Sequence, residues 1–319
     1  MRSLTSNEHL FSLSGLLVFT SAIGVLIRIG LGLAFKYKGQ PVFGLIYAQI
    51  VGCMFMGAAI ARRSTISNYY IPLYTAITTG LCGSITTFSS WNLELFEAFA
   101  NYGRVYDHGV DNFLSGLSVI IITLGMSVVS LLFGKYICQV IFGEEPEDAE
   151  TPKAVRVYAI NQLSNKDYIG IGLGVITLVV FIVIPSTIEN KRAITFAALF
   201  APLGTFLRWQ LSPLNAKRPG FPIGTFLANM IGTAVLAALN LIAHEVSNAT
   251  SCQIIAGMAD GFCGCLTTIS TFTNELISLP KRKALLYGFI SILLGQCFMV
   301  VIFGSYLWAK GDSWVACKS

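Results

Sequence analysis

Apolar runs of about 18 or more residues recur along most of the chain, separated by short polar breaks. Nine such segments can be marked, at residues 11–35, 42–61, 72–100, 113–142, 168–188, 195–214, 222–243, 252–278 and 285–309. Runs of this length predict helices that cross a bilayer. Two of the nine are not uniform. The segments at 72–100 and 252–278 have centres of glycine, threonine and serine, for which a continuous lipid-facing helix has no use. A helix broken at membrane depth does use them, because its freed backbone groups must face protein, ions or water. Between the fourth and fifth runs lies Gly143-Glu144-Glu145-Pro146-Glu147-Asp148-Ala149-Glu150, an acidic stretch that reads as a linker.

The broken stretch occurs twice. Gly80-Leu81-Cys82-Gly83-Ser84-Ile85-Thr86-Thr87-Phe88-Ser89-Ser90-Trp91-Asn92-Leu93-Glu94 and Gly261-Phe262-Cys263-Gly264-Cys265-Leu266-Thr267-Thr268-Ile269-Ser270-Thr271-Phe272-Thr273-Asn274-Glu275 align at an offset of 181. Gly24 and Arg28 align with Gly204 and Arg208 at an offset of 180, and Gly44, Ala48, Gln49 and Gly52 with Gly224, Ala228, Asn229 and Gly232. The plain apolar run at 168–188 has no counterpart. Four segments, one spacer and four segments place the second half upside down relative to the first. The fold class expected is an all-α polytopic membrane protein: nine transmembrane helices as two inverted four-helix repeats joined by a linker helix, the third helix of each repeat broken. The divisions are 1–142, 143–190 and 191–319.

Composition agrees with a membrane protein, at 54% hydrophobic and 12% charged residues with a mean hydropathy of +0.69. The net charge of +5 comes from short basic clusters between the runs, which argues for positive-inside loops and against nucleic-acid binding. Placing the N-terminus in the cytoplasm puts Arg62-Arg63, Lys217-Arg218 and Lys281-Arg282-Lys283 inside, with Lys36, Lys38 and Lys191-Arg192 as exceptions. The C-terminus and the sequon Asn248-Ala249-Thr250 then lie outside. The first run shows no cleavage pattern and is expected to be a genuine span. Six cysteines (53, 82, 138, 263, 265 and 297) fall within runs as packing residues, and Cys252 and Cys317 fall at run ends. No Cys/His spacing suggests a metal site.

Arg28 and Arg208 occupy matching places where a charge is costly. They either snorkel from positions near span ends or line an anion-attracting vestibule. Asn229 offers two amide donors to an anion, or serves as interhelical glue. Gln49, one methylene longer, is expected to present its amide elsewhere. Thr86-Thr87 and Thr267-Thr268 offer hydroxyls and freed carbonyls, so two breaks crossing at a pseudo-two-fold axis form an oxygen cage for a cation such as Na⁺. Phe88, Trp91, Ile269 and Phe272 take two ring positions three residues apart, as core aromatics or as rings whose positive edges face a small anion. Glu94 and Glu275 end the broken stretches. No nucleophile–base set, phosphate loop or proton relay is present in the pattern, so no enzyme is expected.

Gly-Phe-Cys-Gly-x-Leu-Thr-Thr-x-Ser-Thr-Phe, with Gly204-x-x-x-Arg208-Trp209 and Gly224-Thr225-x-x-x-Asn229, resembles the fluoride channel family, the bacterial Fluc (CrcB-type) proteins and the eukaryotic fluoride exporters (FEX). The two-half chain is similar to the fused eukaryotic form. The resemblance implies passive, selective fluoride export at the plasma membrane by a single fused chain. It also implies a structural Na⁺ on the carbonyls of Gly83, Thr86, Gly264 and Thr267. It implies pores built from paired rings and an asparagine, with Tyr287 and Ser291 as a polar track, where an ungapped alignment of the first half has Leu117 and Ile121. One pore is then expected to work, through Phe88, Phe272, Asn229, Tyr287, Ser291 and Thr271, with Arg28 and Arg208 as vestibule and Glu94 and Glu275 as pore-end acids. The other, with Gln49, Trp91 and Ile269, is expected to be vestigial. A coupled small-molecule transporter and a non-transporting scaffold are the competing readings.

Overall fold

The computed structural model describes residues 7–103, 105, 107–145, 163–187, 192–218, 220–310 and 317. Most of the acidic linker (146–162), Lys191 and residues 311–316 lie outside the described residues. Among the described residues there is helix and no strand. This follows from the composition, since a helix bonds its backbone polar groups within the segment and needs no water to do so.

In the first half, α1 spans Asn7–Ala34, α2 Leu45–Ala61 and α3 Arg63–Tyr69. The broken element is α4 Ile71–Thr75, a π-helical stretch Ala76–Cys82, α5 Gly83–Ile85 and, past the break, α6 Phe88–Phe99. Helix α7, Gly109–Phe142, ends at Gly143, whose φ of 78° is open to glycine at little cost. Then follow α8 Asn165–Thr187, α9 Arg192–Leu211, a 3₁₀ turn Ser212–Lys217 and α10 Ile223–Glu245. The second broken element is α11 Ala249–Met258, a π-helical stretch Ala259–Cys263, α12 Gly264–Leu266 and α13 Ser270–Ser278. The final rod is α14 Lys281–Phe298, a π-helical stretch Met299–Gly304 and α15 Ser305–Lys310.

Among the described residues, six elements are long and apolar enough to cross a membrane: Leu10–Ala34, Gly109–Phe142, Asn165–Pro185, Ile223–Glu245, Ala249–Ser278 and Lys281–Lys310. The pair α2–α3, bent by 75°, makes a seventh. The other two runs in the sequence pattern, 72–100 and 195–214, are helical where expected: the first is split by its break into shorter helices, and the second forms the 20-residue α9, which is less apolar than the six. Large apolar side chains point outward from α7 (Leu132, Phe133, Tyr136), α8 (Val175, Ile176, Val179) and α14 (Leu285, Leu286, Phe289). Apolar faces of that extent suit hydrocarbon rather than water.

The sequence pattern gives no sign of α3. It forms where the Glu145 carboxylate reaches the start of the helix, accepting from the backbone N–H of Ser64 (3.0 Å) and Thr65 (2.7 Å) and from the Ser64 hydroxyl. An anion is stabilised there by unpaired N–H groups.

Packing explains the glycines. At Gly57 a Cβ would stand 1.9 Å from the Leu131 carbonyl oxygen, so α2 and α7 touch backbone to backbone. Helix α8 lies on α1 and α9. After the breaks the halves exchange partners: α6 packs against α10 and α14, and α13 against α2 and α7. Of the cysteines expected to pack, five are buried, whereas Cys297 is exposed on α14. Cys252 and Cys317 are joined as a disulfide, which their sequence positions did not suggest.

Candidate functional site

The site begins at the two breaks. Thr86 (φ −92°, ψ 152°) and Thr267 (φ −92°, ψ 155°) are both extended, so each helix stops and its ladder is interrupted at the same point. Restarting the helix requires acceptors for its first N–H groups. The other half supplies them. The Thr267 hydroxyl oxygen accepts from the backbone N–H of Phe88 and Ser89 (both 3.1 Å), and the Thr86 hydroxyl oxygen accepts from that of Ser270 (3.1 Å). The hydroxyls of Thr87 and Thr267 share a hydrogen bond (3.0 Å), as do those of Thr86 and Thr268 (3.1 Å). All four threonines are fully buried.

Asn229, from α10, bonds the second break twice. Thr268 N–H donates to its Oδ1 (2.9 Å), and its Nδ2 donates to the Thr268 carbonyl (3.3 Å). Gln49 does the same at the first break, its Nε2 donating to the Thr87 carbonyl (2.8 Å) and its Oε1 accepting from Thr87 N–H (3.3 Å). The expectation that the extra methylene moves the Gln49 amide elsewhere is corrected. Both amides end in the same bonding pattern, each pairing with the N–H and the carbonyl of the second threonine of its break. Each amide nitrogen keeps a second N–H.

For the arginines, burial removes one of the two alternatives, snorkelling. Arg28 and Arg208 are 4% and 5% exposed, so neither snorkels to an interface. Arg28 Nη1 donates to the carbonyls of Ser84 (2.6 Å) and Gly264 (2.9 Å), and Nη2 to that of Asp260. Arg208 donates from Nε to the Cys265 carbonyl (3.0 Å) and from Nη2 to that of Thr79 (2.7 Å). Each guanidinium therefore binds carbonyls from both halves. These acceptors lie in the π-helical stretches and the short helices just before the breaks, and a planar five-donor group satisfies several at once. Arg28 also lines a cavity of about 510 Å³ shared with Lys36, Glu94, Asn240 and Asp260.

This bears on the expected cation cage. Among the described residues the carbonyls of Thr86 and Thr267 take no hydrogen bond outside the helices, and they suit a small cation. The Gly264 carbonyl is already an acceptor for Arg28. A Cβ at Gly83 would stand 1.8 Å from Arg208 Nη1, and one at Gly264 2.2 Å from Arg28 Nη2. The fit is thus good at the threonines and contested at the glycines, where two guanidinium charges already stand.

Past the breaks the rings meet. Phe88 and Phe272 pack edge to face with centroids 5.3 Å apart, Phe88 meets Trp91 at 5.5 Å, and Phe272 meets Tyr287 at 5.1 Å. Phe88, Trp91, Ile269, Phe272 and Tyr287 are all fully buried in one cluster. Trp91 Nε1 donates to the Val119 carbonyl (3.4 Å).

A polar ladder adjoins these rings in the second half. Glu275 accepts from Tyr287 Oη (2.8 Å), Thr225 Oγ1 (2.6 Å) and Asn215 Nδ2 (3.2 Å). Ser291 donates to the Tyr287 carbonyl (2.7 Å), and Thr271 gives its backbone N–H to the Thr268 hydroxyl (3.4 Å). Among the described residues, the first half shows no matching ladder on Glu94. Glu94 Oε2 is buried without a partner, and Leu45 stands where Thr225 does. Leu117 and Ile121, set opposite Tyr287 and Ser291 by the ungapped alignment, are 38% and 61% exposed, so that alignment does not place them inward.

Sequence reasoning missed Asn215 and Thr225 as partners of Glu275, although Thr225 lies inside the quoted glycine–asparagine motif. It also missed the Gln296 Nε2 bonds to the Asn92 carbonyl (2.9 Å) and side chain (3.0 Å). An amide within the apolar run at 285–309 was the available signal.

The profile of the CrcB-like protein family, described as Camphor Resistance (CrcB), matches this chain twice, at residues 16–135 and 195–304. Fluoride export protein 1 of Candida albicans is 36% identical over 312 residues, covering 90% of this chain and 78% of its own length. Fluoride export protein 1 of Neurospora crassa is 32% identical over 357 residues, covering 95% of this chain and 68% of its own. The fluoride-specific ion channel FluC of Pseudomonas syringae is 37% identical over 105 residues, covering 32% of this chain but 81% of its own. No solved structure matches. The two matched blocks contain both broken elements and leave out α8, so with the whole-length similarity to the two fungal proteins the chain belongs to the CrcB family.

Proposed function

We propose that this protein is a fluoride-selective channel that lets fluoride leave the cytoplasm passively and so protects the cell. The names borne by its relatives support this, and one observation carries it: the paired rings of Phe88 and Phe272 lie against Tyr287, in a bundle whose nearby polar groups are the Asn229 amide and the hydroxyls gathered on Glu275. A small anion stripped of water needs N–H donors and the positive edges of rings; the second N–H of Asn229 and the rings of Phe88 and Phe272 take those roles, while Glu275 accepts from the Tyr287 and Thr225 hydroxyls. No energy coupling is needed. Hydrogen fluoride enters neutral and dissociates, and a negative-inside potential then drives the anion out by about 2.3 kcal/mol per 100 mV.

In this reading all nine runs cross the membrane as two inverted four-helix repeats around α8. The N-terminus is cytoplasmic, the C-terminus extracellular and the membrane the plasma membrane. A single chain is enough. The working pore uses Phe88, Phe272, Asn229, Thr271, Tyr287 and Ser291, and the side marked by Gln49, Trp91 and Ile269 does not conduct. The partnerless Glu94 and the ladder on Glu275 support that asymmetry. A structural Na⁺ rests on the Thr86 and Thr267 carbonyls and holds the crossing in shape, while the guanidiniums serve the glycine side. Exchanging sodium for N-methylglucamine during purification then lowers the unfolding temperature, and an unchanged value counts against the ion.

The functional test is fluoride efflux from liposomes read with a fluoride electrode. Efflux that is independent of a proton gradient and unaffected by replacing chloride is expected. Coupling to protons refutes the channel reading, and no efflux points to a scaffold.

A further inference from the structure

Eight cysteines are present, and the structure treats two of them differently from the rest. Cys252 lies in the first turn of α11, and Cys317 returns to it with a Cα–Cα distance of 5.8 Å. The return has a second anchor, since Cys317 N–H donates to the Ala243 carbonyl (2.7 Å) in the last turn of α10. A third fastening lies close by. Glu245, at the end of α10, accepts from Tyr306 Oη (2.5 Å) and from Lys310 Nζ (3.0 Å), both on α15. The last rod is thus tied to the end of α10 by side chains and by a covalent loop of 65 residues in sequence separation. These are the rods that carry Asn229 (α10) and Tyr287 and Ser291 (α14). At the offset of 181, Ile71 stands at the position matching Cys252, so the first half has no matching cysteine there.

We propose that Cys252–Cys317 is a native cross-link made on the extracytoplasmic side, clamping the end of the last rod to the α10–α11 turn. Its sidedness deepens the orientation proposed above, whereas the bond itself does not depend on fluoride transport. Chemically, two thiols give up two protons and two electrons. A protein disulfide of the secretory lumen accepts them by thiol–disulfide exchange and becomes a dithiol. Such bonds persist in oxidising compartments and are rare in the cytosol. A bond at this end therefore fixes which face of the membrane it occupies.

The test uses the full chain in intact cells, in a Cys297→Ser background that removes the other exposed thiol. A membrane-impermeant maleimide is applied with or without an impermeant phosphine reductant, and the tags are counted on a gel. No tag before reduction and two after it are expected, and Cys252→Ser or Cys317→Ser alone gives one tag without reductant. Two tags without reductant, or tags gained only after permeabilisation, overturn the proposal. The clamp has a separate readout. Reductant is expected to lower the unfolding temperature of the purified parent but not that of the Cys252→Ser/Cys317→Ser variant. A parent fully reduced by gel yet unshifted overturns the clamp.

Discussion

The matched amides give the sharpest test of a one-sided pore. Asn229→Ala removes the partner of a buried N–H at 2.9 Å and of a buried carbonyl at 3.3 Å, both on Thr268. Gln49→Ala removes the same two kinds of partner on Thr87, at 3.3 and 2.8 Å. Leaving a buried group unpaired costs about 1–3 kcal/mol, so each variant loses roughly 2–6 kcal/mol, and the two losses are similar. Transport separates them. Asn229 stands in the half with the hydroxyl ladder, and its spare N–H is one charge-assisted bond to a passing anion, about 1.5–3 kcal/mol. Losing it slows efflux by roughly ten- to a hundredfold, while Gln49→Ala keeps nearly the parent rate per folded molecule. The assay pairs electrode-recorded efflux with an unfolding curve on the same preparation. Equal efflux loss at matched folded content, or loss only in Gln49→Ala, refutes the single-pore reasoning.

Arg28→Met strips the Ser84, Gly264 and Asp260 carbonyls of their donor, so the yield of monodisperse protein is expected to collapse. Arg28→Lys should not restore it, because a point charge lacks the fork, and a parent-like yield for either variant counts against the staple. Gly83→Ala and Gly264→Ala place a Cβ 1.8 and 2.2 Å from guanidinium nitrogens and should both unfold at lower temperature. Gly30→Ala, inside α1 with nothing within 4 Å, should instead gain about 0.4–1 kcal/mol, which thermal unfolding would show. Glu145 is held at a pKa of about 2: partial burial pulls it upward, but bonds from the side chains and backbone N–H groups of Ser64 and Thr65 win. A depressed carboxylate stabilises the fold above its unfolded pKa of about 4.3 and loses that contribution as pH falls toward about 2. Amide exchange in α3 should accelerate over that window in the parent but show no such step in Glu145→Gln.

Much of the fold was legible because hydrocarbon leaves a chain few options. Apolar runs had to be helices, and the duplicated Gly-x-Cys-Gly stretch had to break at its threonines. What could not be read was which atoms meet once two distant stretches cross. Arg28 and Arg208 were readable only as snorkelling or vestibule charges, because the sequence does not show which carbonyls the crossing of the two halves brings within their reach. Gln49 looked displaced because its reach was judged by side-chain length alone, and the partner atoms on Thr87 cannot be read from the sequence. Asn215 was passed over because it sits in a loop until the chain turns it toward Glu275. The disulfide was invisible because 65 residues of spacing carry no geometric information.

The threonine exchange at the crossing also sets a schedule for synthesis. The first turn of α6 rests on the hydroxyl of Thr267, a residue made about 180 positions later. At roughly 5–20 residues per second, the N-terminal half waits about 10–40 s in the membrane with amides of Phe88 and Ser89 still lacking their partner. Through that interval the nascent chain is a substrate for chaperones and for degradation. Slowing translation between the two halves is expected to lengthen that interval and to lower the yield of folded protein without changing the stability of the finished bundle.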